Sequence, residues 1–485
     1  MKAKIFGITA LLVVLCLFMS FMVPGSFLKA NNIENLLQRT AMYGILGIGV
    51  AFVIITSGID LSIGSLVCLS GVMLGLLLQV EYAPPESVPV VKLEARAQRV
   101  VLRGTTDAIA PGDVLRFFGG RRTALLTVTR VEPRGGAAPT TVVHFKESPF
   151  RDERQGFVTR LVRIRKIERR KDLQTTRLLV AAPPGLLAPR DRLVLLKPGS
   201  LQSFTVRRVE HAGDDQWVTV GAVVGPQIDT TWFGLPQRRR QRMSVPGALA
   251  LVLLAGILLG LLHGFLVTKM RLQPFVVTLC GLLIYRGLAR WLSDDQPQGF
   301  IEYSETLGRV AQGKFVLYQG AAGEFGIPYV FFIMLAVALA AAFLLNQTIW
   351  GRYMLALGRN EPGARYSGIN TDRVTILAYV ICALLSVVGG LLFALDANSV
   401  SPSSFGAWYE LYAIAAAVLG GCSLRGGEGG ILGVVIGTAV MQLLKNLIVL
   451  LKIQDSLELA IIGAVILVGV VGDEFLRRAT QRRSR

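Results

Sequence analysis

Ten apolar runs, most of them about as long as a bilayer is thick, constrain this chain more than any other feature. They lie at about 5–23, 38–57, 61–79, 246–268, 274–293, 326–347, 373–396, 409–422, 427–451 and 455–472. A helix needs about 20 apolar residues to cross about 30 Å of hydrocarbon, so these runs predict membrane spans. A soluble chain of 485 residues would be less than 52% hydrophobic and more than 17% charged. The expected fold class is an all-α polytopic membrane protein of about ten transmembrane helices with an inserted β-rich soluble domain. The run at 409–422 is short and glycine-flanked. It reads as a broken or re-entrant helix, which membranes tolerate only where protein or a cavity covers it. The first run follows Lys2 and Lys4, is longer than a signal-peptide core and lacks a small-x-small cleavage site, so it reads as an uncleaved span.

Basic residues near span ends set orientation. Lys269, Arg271, Arg352, Arg359, Arg365, Arg373 and Arg425 fall in alternate loops, and Arg477, Arg478, Arg482, Arg483 and Arg485 crowd the end of the chain. Ten spans with both termini in the cytoplasm put all of these inside. The expected division is a first membrane part at 1–79, an insert at 80–244, a second membrane part at 245–475 and a basic cytoplasmic tail at 476–485.

The insert has no span and carries much of the net charge of +19. Alternating runs such as ALLTVTRVE and SFTVRRVE, bounded by Pro, Gly and Asp, predict strands. It also repeats itself. APGDVLRF at Ala110–Phe117 echoes APRDRLVL at Ala188–Leu195, and TVTRVE at Thr127–Glu132 echoes TVRRVE at Thr205–Glu210, both at an offset of 78 residues. Two similar β-units are expected at about 99–145 and 177–224, joined by the basic stretch RLVRIRKIERRKD. Span parity places the insert outside the cytoplasm. The arginines 238–240 and 242 pull the other way, but the charge rule weakens for long translocated domains. The insert lacks the Gly/aromatic motifs of an RNA-binding sheet, so its basic surface fits solvent or anionic head groups better than nucleic acid.

Several enzyme chemistries are missing their residues. GRVAQGKF at Gly308–Phe315 matches a phosphate-loop pattern except where a Ser or Thr must hold Mg²⁺, and there the chain has Phe315. His144, His211 and His263 are scattered, and His263, in an apolar run, reads as a hydrogen-bonded structural group. The five cysteines fall in apolar runs without C-x-x-C spacing and read as small buried hydrophobes. No catalytic residue, metal site or cofactor is expected in this chain.

Polar groups inside the bilayer are costly and mark candidate pathway positions. Asp60, Ser62, Arg286, Glu410 and Asn446 are the candidates, each weighed against an ordinary helix-end role. Locally, TSGIDLSIGSLVCLSG at Thr56–Gly71 reads as a tight turn at the cytoplasmic edge, with Asp60 capping the next helix. GRYMLALGRNEPGARYSGINTDR, Gly351–Arg373, reads as a basic loop holding a short helix that ends at Gly368. The glycines from Gly420 to Gly437 suit close helix contacts and a sharp SLRGGEGG turn.

Four stretches together resemble the inner-membrane permease subunit of the ribose/xylose/galactoside group of ABC sugar importers. They are SGIDLSIGSLVCLSG, LQPFVVTLCGLLIYRGLA, ALGRNEPGARYSGI and YELYAIAAAVLGGCSLRGGEGGILG. With the spans they cover about residues 1–79 and 245–475. The resemblance implies a multi-pass protein of the bacterial plasma membrane, working as a homodimer or a pair of like subunits. It implies a cytoplasmic ABC ATPase that binds ATP and Mg, an extracytoplasmic sugar-binding protein, and a monosaccharide cargo. It makes Gly358–Ile369 the ATPase-coupling segment, carried by Gly358, Arg359, Asn360, Glu361, Ala364, Arg365, Ser367 and Gly368, and has spans two, three, five, eight and nine line the path. Two features depart from the family: the insert of about 165 residues, and His263 where members often have Asn. The alternatives are a permease for an inositol, a nucleoside or a furanone-type autoinducer, or a membrane-anchored binding or assembly protein whose insert is the working part.

Overall fold

The computed structural model describes residues 2–464 and 467, apart from 85–86, 95–96, 104–108, 120–121, 135–139, 147–155, 171, 183–185, 198–199, 214, 321–322 and 455–456. The basic tail at 476–485 and part of the run at 455–472 lie outside the described residues. The chain divides into two compact units: Met1–Gln79 with Met243–Arg485, and Val80–Arg242.

The first unit is helical. Its helices are α1 (Lys2–Met22), α2 (Pro24–Phe27), α3 (Ala30–Ile55), α4 (Ile63–Leu77), α5 (Val245–Thr268), α6 (Pro274–Leu292), α7 (Gly308–Gln312), α8 (Tyr329–Gln347), α9 (Ile349–Arg359), α10 (Glu361–Tyr366), α11 (Thr371–Ala397), α12 (Tyr409–Leu419) and α13 (Ile431–Leu450). Among the described residues α3, α5, α6, α8, α11 and α13 are long and apolar enough to cross a membrane. The chain is a polytopic membrane protein with a β-rich region.

Helix α3 is the centre of this unit. Every residue from Thr40 to Ile55 is buried, as expected of a helix apolar on all sides and surrounded by others. Helices α5, α6 and α8 instead turn large apolar side chains outward, Leu258, Leu283 and Phe343 among them, the pattern of surfaces that face lipid. α5 meets α11 through Gly256, Gly260 and Gly264, spaced by four on one face. A Cβ on Gly260 would lie 2.7 Å from the Val380 Cα, and one on Gly264 2.7 Å from the Ile376 Cα. Close approach without side chains is how helices associate where apolar burial gives no net drive.

Several elements differ from the sequence reading. α3 begins at Ala30, eight residues before the expected run, because its polar first turns find partners. Glu34 accepts from the Lys314 Nζ at 3.0 Å and the Gly326 N–H at 2.7 Å, and Gln38 donates to Asp396 at 2.5 Å. α4 has only 15 residues and α12 only 11. The Gly351–Arg373 segment is not a loop with one helix: α9, α10 and the start of α11 follow one another nearly without a break. Lys314–Gly320 pairs with Gly323–Pro328 as a hairpin that begins in the stretch resembling a phosphate loop, with Phe315, Val316, Leu317 and Tyr318 exposed.

The second unit is all β: β1 (Val80–Ala83), β2 (Ser87–Glu94), β3 (Arg99–Arg103), β4 (Val114–Gly119), β5 (Arg122–Arg134), β6 (Thr140–Phe145), β7 (Gly156–Arg160), β8 (Val162–Arg170), β9 (Thr175–Ala181), β10 (Arg192–Lys197), β11 (Ser200–Ala212), β12 (Asp215–Val220) and β13 (Phe233–Gln241). β2-β3-β6-β5-β4-β7 close a barrel. β8-β9-β12-β11-β10-β13 repeat that order, β13 pairs back to β8, and β1 is added outside β13. The 78-residue offset recurs in three dimensions. The Asp113 carboxylate accepts from the Ala110 N–H at 2.9 Å, and the Asp191 carboxylate from the Ala188 N–H at 2.8 Å. Bulges between Val128 and Arg130 and between Val206 and Arg208 sit at the same offset. Each ring fills with alternate apolar residues, Leu115, Phe117 and Val143 in one and Leu193, Leu195 and Val218 in the other. A third cluster including Val114, Leu161, Val194 and Leu235 joins them.

Candidate functional site

Three of the motif stretches meet at the end of α3. After Ile55 the chain turns through Ser57, whose φ is 63°, and the Gly58 N–H returns to the Val53 carbonyl at 2.9 Å. The Ser57 hydroxyl donates to the carbonyls of Gly358 and Arg425, both at 3.1 Å. The Gly427 N–H donates to the Ile55 carbonyl at 2.8 Å, and the Arg359 guanidinium to the Gly427 carbonyl at 3.3 Å. Gly426 and Gly427 hold φ of 84° and 72°, which side-chain-bearing residues avoid. A Cβ on Gly358 would collide with the Ile55 carbonyl and the Gly427 backbone. The glycines of SLRGGEGG therefore make a turn against which the α9 end is locked.

From that junction the coupling residues follow in order. Asn360 caps α10, its side chain accepting from the Gly363 N–H at 3.0 Å, and the Ser367 hydroxyl donates to the Gly363 carbonyl at 2.9 Å. Gly368, at φ 82°, ends the turn, and Asn370 caps α11 through the Arg373 N–H at 3.1 Å. Arg365 reaches Glu361 at 3.2 Å, the Thr371 hydroxyl at 2.9 Å and Asp372 at 3.6 Å. Ala364 is buried beneath, whereas Tyr366 is 93% exposed. Beside this knob opens a cleft of about 500 Å³ lined by residues including Ser57, Arg271, Glu361, Arg365, Thr375 and Tyr379.

Asp60 is not at a helix edge. Residues 58–62 form an irregular segment between α3 and α4, and the Asp60 side chain is completely buried. It does not cap α4: its Oδ1 accepts from the N–H and hydroxyl of Ser62, at 2.8 and 2.7 Å, and Ser62 itself precedes the helix. The Glu410 carboxylate packs against the first turn of α4, where a Cβ on Gly64 would collide with its Oε2. Non-helical backbone this deep is tolerable only because helices wrap it, and the Thr278 hydroxyl of α6 donates to the Ile59 carbonyl at 3.2 Å.

Around Asp60 stand His263 of α5, Tyr285 of α6, and Tyr379 and Cys382 of α11, all within electrostatic reach of its carboxylate. His263 and Tyr285 share a hydrogen bond of 2.8 Å between Nε2 and the phenol oxygen. Among the described residues Asp60 Oδ2, His263 Nδ1 and the Tyr379 hydroxyl are buried without a partner. Buried polar atoms in that state are costly, and three in one cluster mark it as something other than packing. Tyr379 also lines the cleft, which links the cluster to the coupling end.

The remaining candidates separate. Arg286 donates to the carbonyls of Pro402 at 3.2 Å and Phe405 at 2.5 Å, so this mid-helix cation holds the 401–408 loop. That loop leads into Glu410, so Asp60, Ser62, Arg286 and Glu410 share one neighbourhood around the α4 start. Asn446 lies apart on α13 and exchanges hydrogen bonds with Asn32, at 2.7 and 3.3 Å. Sequence reasoning left out Tyr285, Tyr379 and Cys382, because an aromatic or thiol in an apolar run looks like core.

A family profile described as "Branched-chain amino acid transport system / permease component" matches residues 220–470. The ribose import permease protein RbsC of Escherichia coli K12 is 36% identical over 228 residues, 47% of this chain and 68% of that protein. The L-arabinose transport system permease protein AraH of the same organism is 35% identical over 45% of this chain and 62% of its own length. The autoinducer 2 import system permease protein LsrC of Photorhabdus luminescens is 30% identical over 60% of this chain and 81% of its own length. No solved structure matches. The chain thus belongs to this family, the permease subunits of ABC importers that its four stretches resemble.

Proposed function

We propose that the chain imports a monosaccharide of the ribose, arabinose or xylose kind, received from a soluble binding protein and driven by a separate ATPase, and that it works as a pair of like subunits in the plasma membrane of a bacterium. The support for the cargo is its likeness to ribose and arabinose permeases. The observation that carries the mechanism is the junction at Ile55. Displacement of the α9–α10 knob pulls directly on the Ser57 turn through Gly358 and Arg359, and that turn is continuous with Asp60. A push from an ATPase on the exposed face around Tyr366 is thereby passed to the buried polar cluster without an intervening flexible loop. In this reading the junction end faces the cytoplasm, the other end of α3 faces outward, and the barrel unit is extracytoplasmic.

Uptake of labelled ribose, arabinose and xylose by cells expressing the chain with its ATPase and binding protein tests the cargo. Transport of at least one is expected, and movement of a furanone alone would reassign the substrate. A Tyr366→Cys variant should cross-link to the ATPase, and failure of any position from Glu361 to Tyr366 to do so would remove the coupling role.

A further inference from the structure

At the opposite end of the helical unit from the coupling knob lies a second cavity, of about 240 Å³, between the first half of α3 and the last turns of α13. Asn35, Arg39, Tyr43, Gln442, Lys445 and Asn446 line it. At about 1.5 Å per residue, Asn35 to Tyr43 are about 18–30 Å from Ile55 along α3.

The chemistry of this lining is selective. Its two cations are already compensated: Arg39 faces Asp396 at 3.5 Å, and Lys445 bonds Glu458 at 2.9 Å while sitting 4.0 Å over the Tyr412 ring. An anion therefore finds no unmatched charge. What remains is amide and aromatic: the Tyr43 ring, the Asn446 amide held in place by Asn32, and Gln442. Gln442 is 4% exposed, and its Nε2 has no partner among the described residues. A buried amide donor left unpaired costs about 1–3 kcal/mol, so a site that keeps one needs an acceptor from a bound molecule. Amides that both give and accept, beside an aromatic ring, suit hydroxyl groups on a neutral ring. The volume falls just below the range of about 300–1,000 Å³ typical of drug-sized ligands, and so suits a single-ring solute.

We propose that this cavity is a binding site for a neutral polyhydroxylated solute, an aldopentose or its like, and that Gln442 is its specificity-determining donor. This rests on the import reading and adds to it a place where the permease itself holds the solute, far from the coupling junction.

Saturation-transfer NMR on the full chain in lipid nanodiscs tests the site with D-ribose as the probe and acetate as the anionic control. Ribose should give a signal that falls at least five-fold in Gln442→Leu and in Gln442→Glu, while acetate gives none. Gln442→Leu should leave the thermal unfolding midpoint unchanged or higher, since it replaces an unpaired amide by an apolar group of similar size. A ribose signal indifferent to both variants, or absent, overturns the site, as does a Gln442→Leu that loses signal only because it unfolds. Ribose uptake in cells separates this from the import reading. Uptake that continues while the nanodisc signal is absent removes the site and leaves the reading standing. A wild-type chain that moves no pentose at all removes the reading and the site with it.

Discussion

At the scale of single residues, Asp60 and Arg286 make opposite cases. The Asp60 carboxylate keeps one oxygen for Ser62 and leaves the other bare among Tyr379, His263 and Cys382. Asp60→Asn preserves the oxygen that accepts from Ser62 and removes the charge. We expect it to fold with a nearly unchanged melting temperature and to lose transport by about ten-fold or more, about 1.4 kcal/mol of function. Wild-type uptake by Asp60→Asn would make the acid a purely structural acceptor. Arg286 has no such freedom, for both carbonyls it binds lie on the 401–408 loop that leads into α12 and Glu410. Arg286→Leu orphans them and should cost about 2–3 kcal/mol, read as a lower melting temperature in detergent, with Arg286→Lys recovering part of it. Both positions stand out in the sequence, because a charge in an apolar run is rarely idle. Their separate roles were not legible there, since holding a backbone loop and facing bare polar atoms leave the same mark on a sequence.

At the scale of elements, six of the ten expected spans were legible from apolar length, as α3, α5, α6, α8, α11 and α13, and the ends of the runs were not. The α3 start was obscured because Asn32, Glu34 and Gln38 look like loop until Asn446, Lys314 and Asp396 are placed beside them. α4 was read as a span over 61–79 because Leu61 and Leu78, which flank Ile63–Leu77, are as apolar as the helix itself. The α5–α11 contact depends on having no side chain at Gly260. Gly260→Val forces a methyl-bearing carbon into the Val380 backbone and should destabilise the bundle by about 1–3 kcal/mol, with Gly287→Val, where nothing lies within 4 Å, as the harmless control. Equal melting temperatures for the two would contradict the packing. In the first barrel Glu94 sits between Lys92, at 2.8 Å, and Arg99. Lys92 first and then Arg99 hold its carboxyl at about 2, below the ordinary 4.5. A depressed carboxyl stabilises the fold above its unfolded value and loses that contribution as pH falls from about 4.5 toward 2. Acid titration followed by circular dichroism should show this slope and lose part of it in Glu94→Gln.

At the scale of the whole molecule, the 78-residue echo was legible as a repeat, but the ring closure was not, because β7 and β13 have little in common in sequence. The barrel unit starts and ends side by side, with Val80 paired to Gln241, so it can be removed and the gap bridged by a short Gly-Ser turn. We expect the deleted chain to insert in the membrane and melt like the parent. Unchanged uptake would then show that the barrels take no part in delivery, and lost uptake with intact folding would tie them to it. The most direct test of the account is ATP hydrolysis by the chain reconstituted in liposomes with its ATPase. The account predicts hydrolysis that rises with sugar-loaded binding protein and loses that rise when Gly358→Leu breaks the junction with Ile55 and Gly427. Hydrolysis indifferent to the binding protein, the sugar and the Gly358 substitution alike would contradict it.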